Sequence, residues 1–285
     1  MTDVSDHLTE HNIRMSLNTR FVGQNITYFK SVDSTNRVAK ELAQNGAAEG
    51  SLVIAGSQSH GRGRLGRQWL SPPDTSLLMS VIFRPDLTLL QAARVTMVCS
   101  LAVVDAIEET TSLIVRIKWP NDIMVKGRKL GGILAELGLS QGKLSFVVVG
   151  LGLNVNVSFD DQSAEYPVDA APNTAQASLR GLADRSTSLS QEMGRNVPRL
   201  TLLSKLLTSI EKRYEALRAG HIPNPEWGER LETLGQRITV TTGTEVVVGR
   251  AEGVDENGAL LLRLDNGAQT RILVGDVTLR SLSEI

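Results

Sequence analysis

The sequence predicts an α+β protein: a mixed sheet backed by helices, then a small all-β unit best read as a small barrel. Three observations carry this. Apolar runs of strand length, "SLVIAGSQ" (51–58), "SLLMSVIF" (76–83) and "KLSFVVVGLGLNV" (143–155), are interleaved with two long helical stretches at 89–110 and 199–217. From about residue 234 the pattern changes to short β-rich runs punctuated by "DENG" and "DNG", which are hairpin markers. Hydrophobic residues make up 41% of the chain and charged residues 21%, enough to bury a sizeable core. The predicted division is 1–233 and 234–285.

Residues 1–20 read as a flexible tail or a loose first segment. "STNRVAKELAQNG" (34–46) reads as a helix, with Ser34 or Thr35 as cap, Val38 and Leu42 on one face, and Gly46 as its end. The strand at 51–58 runs into an arginine-rich loop, and the strand at 76–83 follows Pro72 and Pro73. "LIVRIKW" (113–119) is a strand stopped by Pro120, and Asn121 and Asp122 supply turn chemistry. "KLGGILAEL" (129–137) and the run at 143–155 read as adjacent strands. Residues 156–197 are polar and are expected to form an irregular excursion or lid, with a short ordered piece near "AQASL". "RLTLLSKLLTSIEKRYEAL" (199–217) is an amphipathic helix.

Charge and composition exclude several classes. A formal net charge of -1 and a pI near 6.5 do not suit a generally basic nucleic-acid binder. The single cysteine, Cys99, allows no disulfide framework within the chain and fits a reducing cytoplasm. "MTDVSDHLTE" has no apolar signal-peptide core, and no run of about 18 apolar residues is evident, so a cytoplasmic protein with no membrane partner is expected.

Positive charge is concentrated in "HGRGRLGRQW" (60–69), where residues 61–67 hold three glycines and three arginines. Gly61, Gly63 and Gly66 match G-x-G-x-x-G, but a dinucleotide site needs a helix opening directly after the glycines, and "RQWLSPPDTS" supplies two prolines. A Walker A loop fails for want of Gly-Lys-Ser/Thr. The local chemistry is more telling. Glycines admit a ligand close to the backbone, and arginine forks suit phosphate and carboxylate. Arg62, Arg64 and Arg67 repel one another if all fold inward, so the loop is expected to be mobile when empty and ordered by an anion. Trp69 adds a flat face for a base or ring.

Three further stretches are candidates. In "KWPNDI", Lys118 ends an apolar strand with Ile117 and Trp119 on the opposite face, where it can neutralise an anion in a partly buried cleft. Asp122 could help hold Mg²⁺ with ATP or cap a turn, and the turn is favoured. Ser34-Thr35-Asn36 caps a helix, which also leaves free N–H groups for a polar ligand. "GLGLN" (150–154) permits close ligand approach, or marks a bulge. His7, His11, His60 and His221 have no metal-binding spacing, and no Ser-His-Asp or Cys-His set is evident.

Together and in order, "STN", "Q" two residues before "GRGRLGRQW", "KWPND", "RKLGGIL.E" and "GLGLNV" resemble the biotin–protein ligase (biotin–[acetyl-CoA-carboxylase] ligase) family, from about residue 28 onward. "GVDENGALLL" and "GDVTLR" resemble its C-terminal SH3-like domain. The resemblance implies a class II aminoacyl-tRNA synthetase-like catalytic fold. It also implies a two-step reaction: biotin and MgATP give biotinyl-5′-AMP and pyrophosphate, and a lysine of a biotin carboxyl carrier domain then takes the biotinyl group. It implies that Ser34, Thr35, Asn36 and Gln58 hold the ureido-ring region of biotin, and that Gly61, Arg62, Gly63 and Arg64 wrap the carboxyl and phosphates. Lys118 would act with Arg64 at the reacting oxygens, and Gly150 and Gly152 would line the biotin pocket. Arg67, with Arg62 and Arg64, would hold ATP, Trp69 would stack on adenine and Asn154 would bond near it. The state implied is monomer or homodimer. Two departures stand out: Leu65 replaces an arginine common in bacterial "GRGRRGR" loops, and the residues before the resemblance are too few for a winged-helix DNA reader, so no nucleic-acid partner is expected.

Overall fold

The computed structural model describes residues 7–159, 185–243 and 245–279. Seven strands form one sheet in the order β1-β2-β3-β7-β6-β5-β4. They are β1 (Ile26–Phe29), β2 (Leu52–Ala55), β3 (Ser76–Phe83), β4 (Arg116–Lys118), β5 (Asp122–Val125), β6 (Arg128–Ser140) and β7 (Lys143–Asn154). β1 and β2 are parallel and every other pairing is antiparallel, so the sheet is mixed.

Alternation along the central strands decides what each face does. Val147, Val149, Leu151 and Leu153 of β7 and Leu77, Met79, Val81 and Phe83 of β3 share one face and its large core. Helices α3 (Ala93–Thr111) and α5 (Arg199–Arg218) cover that face and pack on each other. The intervening residues face the other way. There Val53, Ile82, Phe146 and Val148 pack under Ala39 and Ala43 of α2 (Thr35–Gln44). Beyond α2, that same face carries Ser80, Gly150, Gly152 and Asn154 in place of bulky side chains.

The helical stretch Leu89–Thr111, a short 3-10 turn followed by α3, is long and apolar enough to cross a membrane by composition, although it is no unbroken apolar run. It is a core helix here, with Val95 to Ile107 largely buried against the sheet and α5.

Two expectations need correction. The described part of the 1–20 segment is not loose: α1 (Glu10–Ser16) buries Ile13 beside Leu8 and docks on α5, where Ser204 Oγ donates to Ser16 O at 2.6 Å. A polar sequence with two buried apolar residues gave no sign of this. Asp122 opens strand β5 directly across from Lys118, and only Asn121 lies in the turn. The piece near "AQASL" lies outside the described residues. A short helix, α4 (Leu189–Met193), precedes α5.

After α6 (Asn224–Glu229), β8 (Arg237–Thr242), β9 (Glu245–Val254), β10 (Leu260–Arg263), β11 (Gln269–Ile272) and β12 (Asp276–Leu279) form an antiparallel sheet in the order β11-β10-β9-β8-β12. Ile238, Val240, Ala251, Leu260 and Leu262 fill its core. It is tied to the first domain by polar contacts. Trp119 Nε1 donates to Gly258 O at 2.9 Å, and Arg94 Nε donates to Glu256 O at 3.1 Å.

Glu211 of α5 fastens the N-terminal segment. Its carboxylate accepts from the backbone N–H groups of Arg20, Phe21 and Val22 at 2.8–3.0 Å. Burial raises its pKa, but those N–H donors outweigh burial and hold it below the ordinary glutamate value. Its contribution is therefore full above the unfolded-state pKa, about 4.3, and is lost as pH falls through the lower folded value. Glu211→Gln should lower unfolding free energy by about 2 kcal/mol at pH 7, and the difference from the native chain should shrink on acidification below pH ~4, as read by urea denaturation.

Candidate active site

The small residues on the α2 face leave a cavity of about 490 Å³, lined at one end by Ser34, Asn36 and Gly150 and at the other by Arg64, Lys118 and Asp276. Register creates its floor. Gly150 is paired with Ser80 of β3 and Leu134 of β6, and Gly152 with Leu78 and Gly132. A Cβ on Gly150 would lie 2.0 Å from Asn36 Oδ1, and one on Gly152 would lie 2.5 Å from the Trp69 ring. Both glycines sit in regular strand pairing, so the alternative of a bulge does not hold. They are bare because neighbouring side chains lie flush on them.

The first end is a closed polar network. Ser34 occupies the N-cap position of α2, yet its side chain makes no capping bond. The Thr35 N–H instead donates to Gln58 Oε1 at 2.7 Å, and Thr35 Oγ1 donates to the same oxygen at 3.1 Å. Ser80 Oγ lies 2.8 Å from Thr35 Oγ1 and 2.6 Å from Asn36 Oδ1. Asn36 Nδ2 donates to Leu134 O and Glu136 Oε2 at 3.2 and 3.0 Å. Ser34, Thr35, Asn36 and Gln58 thus lie together at this end of the cavity. Sequence reading missed Ser80, which nothing local marks, and gave no role to Glu136 although it closes "RKLGGIL.E", because only sheet register brings them beside α2.

The arginine loop is a small folded hairpin. Gly63 N donates to Arg67 O at 2.7 Å, Trp69 N donates to Gly61 O at 2.9 Å, and Arg62 bridges Gln68. A Cβ on Gly61 would lie 2.4 Å from Trp69 O, so this crossing requires glycine. Leu65 and Gly66 take left-handed conformations, with φ of 55° and 74°. The expected mutual repulsion of inward arginines is relieved from the second domain. Arg64 turns in and donates to Asn121 Oδ1 and Gly275 O, both at 3.2 Å, with Asp276 at 3.8 Å. Arg67 pairs with Asp276 as well, while Arg62 is exposed. Burial pushes the Arg64 guanidinium below its ordinary value, and Asp276 opposes that. Asn121, in "KWPND", and Asp276, in "GDVTLR", were given no role at the site from sequence. Asp276 is 209 residues from Arg67, beyond any local signal.

Trp69 forms the wall over Gly152, and Lys129 Nζ lies 6.0 Å from its ring centroid. Its Nε1 is buried with no hydrogen-bond partner among the described residues. Asn154 lines the same region, but its Nδ2 is committed to Thr187 O at 3.1 Å. Lys118 ends β4 on the cavity side, with Ile117 and Trp119 buried behind it as predicted. Asp122, opposite Lys118, pairs with Lys129 at 2.5 Å. The cavity therefore joins a neutral hydrogen-bonding end to a cationic end. That suits a ligand with a polar, uncharged head and an anionic tail beside a polyphosphate.

Gly150→Ala should cost about 1–3 kcal/mol in unfolding free energy, because the methyl must displace Asn36 or bend the central strand. Gly228→Ala in α6, where the new Cβ would meet nothing closer than 3.6 Å, should be neutral or stabilising by less than about 1 kcal/mol in the same urea titration.

The family described as "Biotin/lipoate A/B protein ligase family" matches residues 28–154, and "Biotin protein ligase C terminal domain" matches residues 233–280. Over 274 residues the chain is 35% identical to the bifunctional ligase/repressor BirA of Bacillus subtilis (strain 168), covering 95% of this chain and 79% of that one. It is 33% identical to a biotin--[acetyl-CoA-carboxylase] ligase of Paracoccus denitrificans, covering 83% of this chain and 93% of that one. Its fold is similar to that of a biotin protein ligase from Aquifex aeolicus in complex with biotin and ATP, with a TM-score of 0.70, 30% identity, and coverage of 90% and 99%. Sequence, both domains and fold agree: the chain belongs to the biotin protein ligase family.

Proposed function

We propose that this protein activates biotin with ATP to biotinyl-5′-AMP and passes the biotinyl group to one lysine of a biotin carboxyl carrier domain. The single observation that carries this is the two-ended cavity: the Thr35–Asn36–Gln58 network and the Arg64–Lys118 pole open into one space of about 490 Å³.

The chemistry asks for little else. A carboxylate is a poor electrophile, and bringing it to the ATP α-phosphate places two anions in contact. Lys118 from the sheet and Arg64 from the loop neutralise them, and the polar end fixes the head so that the carboxylate points toward the phosphate. The carboxylate oxygen forms the new bond to phosphorus and pyrophosphate leaves. In the second step the acceptor's amine attacks the acyl carbon, AMP leaves, and the amine gives up a proton. The enzyme needs no nucleophile of its own. In this reading Gly61, Arg62 and Gly63 follow the phosphates, Arg67 meets ATP, and Trp69 stacks on adenine. Asn154 supports that wall through its bond to Thr187.

Magnesium would enter with ATP. Among the described residues no group of three His, Cys, Asp or Glu side chains could hold a metal alone. An ion carried by phosphates needs only one or two carboxylates, and Asp122 on the cavity wall would supply one after parting from Lys129. The magnesium ion would supply charge neutralisation on the phosphates.

Exchange of labelled pyrophosphate into ATP should depend on biotin and not occur with lipoate; exchange with lipoate alone would reverse the assignment within the family. Arg64→Ala should speed escape of the adenylate from the enzyme, since each charge-assisted hydrogen bond lost is worth about 1.5–3 kcal/mol. A filter assay of retained biotinyl-5′-AMP checks it, and wild-type retention would remove Arg64 from the phosphate grip.

A further inference from the structure

The segment after α6 takes an eighth strand position at the edge of the sheet, through one short pairing with β4. Ile117 N donates to Arg230 O at 2.9 Å, Glu232 N donates to Ile117 O at 2.9 Å, and Trp119 N donates to Thr233 Oγ1 at 3.0 Å. The pairing is parallel, with Ile117 opposite Leu231. Residues opposite one another in a parallel pair point to the same face, and neighbours alternate. Ile117 and Leu231 are both buried on the core side. Lys118 and Glu232 therefore stand side by side on the other face, where Lys118 lines the cavity.

The charges around them narrow the possibilities. Asp122 faces Lys118 from β5, but Lys129 holds it at 2.5 Å. Arg116 is exposed, and its Nη1 reaches Glu229 O at 3.4 Å. Glu232 Oε1 is buried with no hydrogen-bond partner among the described residues, and neither it nor Asp122 forms an ion pair with the Lys118 ammonium. A carboxylate oxygen held from water without a donor is costly unless a cation stands near it. Burial pushes the Glu232 carboxyl up, and Lys118 is the foremost cation opposing that, ahead of Arg116.

We propose that Glu232 is a positioning residue for Lys118: the two stand on one face of the same strand pair without an ion pair in the free protein, and the field of the carboxylate sets where the ammonium rests at the reacting oxygens when substrates enter. The catalytic contact belongs to Lys118, and Glu232 acts through it. The proposal rests on the ligase reading for what Lys118 touches, but not for the pairing itself. It also gives the interdomain segment a task, because the backbone that carries Glu232 leads within a few residues into β8.

The test is a double-mutant cycle with Glu232→Gln and Lys118→Gln, read by biotin-dependent pyrophosphate exchange and by calorimetric binding of inorganic pyrophosphate. Glu232→Gln should lower kcat about tenfold through a misplaced ammonium, while the KM for ATP falls because a negative charge has left an anion site. Glu232→Asp, which keeps the charge, should recover most of kcat. In the Lys118→Gln background Glu232→Gln should cause no further loss. Pyrophosphate should bind Glu232→Gln more tightly than wild type, and only when Lys118 is present. Equal losses in both backgrounds, unchanged kcat and KM, or a lowered melting temperature with kcat intact would each overturn the proposal. If Glu232→Gln does not fold, the same cycle is run with Glu232→Asp: equal effects with and without Lys118 overturn the pairing, and effects only with Lys118 sustain it. Absence of exchange in the wild type would remove the ligase reading, and pyrophosphate binding would still decide the pairing.

Discussion

A bare strip of backbone in the middle of the sheet is the constraint on which the rest of the site depends. On one face of β7 the sequence runs Phe146, Val148, Gly150, Gly152, Asn154, so apolar bulk gives way to hydrogen atoms within one strand. The bulk holds α2 down through Ala39 and Ala43. The bare part lets Asn36 lie on Gly150 and Trp69 lie on Gly152. Asn36 carries the polar network, and Trp69 anchors the return strand of the arginine loop. A side chain at Gly150 would therefore disturb the polar end, and one at Gly152 the loop that carries the cationic end.

Charge is the second organising theme. The loop gathers arginines that would repel one another, and the protein answers with Asp276 from the second domain and Asn121 from the turn after β4. Pairing with Lys129 answers Asp122 in the same way. The resident carboxylates thus hold cations in place while leaving the cavity positive enough for anions. Because Asp276 and Gly275 belong to β12 and its approach, the C-terminal sheet forms part of the cationic pole.

Much of this was legible in sequence, for physical reasons. β3 and β7 are continuous apolar or alternating runs between turns, and α3 and α5 carry enough apolar surface to be core helices. Strand β5 was hidden because its four residues begin with the Asp of Asn-Asp, a pair whose local chemistry says turn. Helix α1 was hidden because its burial comes from a few apolar residues in a polar stretch. Lys118, Arg64, Gly150 and Gly152 could be picked out because their types are unusual where they stand. The contacts of Ser80, Glu136, Glu232 and Asp276 could not, since their partners lie tens to hundreds of residues away and register alone brings them close.

The central claim is that the chain moves a biotinyl group by positioning and charge neutralisation, through an adenylate and without a nucleophile of its own. The most direct test is intact-mass spectrometry of both proteins after incubation with biotin, MgATP and a biotin carboxyl carrier domain. The account predicts one biotinyl group on one lysine of the carrier and an unmodified enzyme. A biotinylated enzyme intermediate that is consumed as carrier is added, or a carrier left unmodified while exchange proceeds, would contradict it.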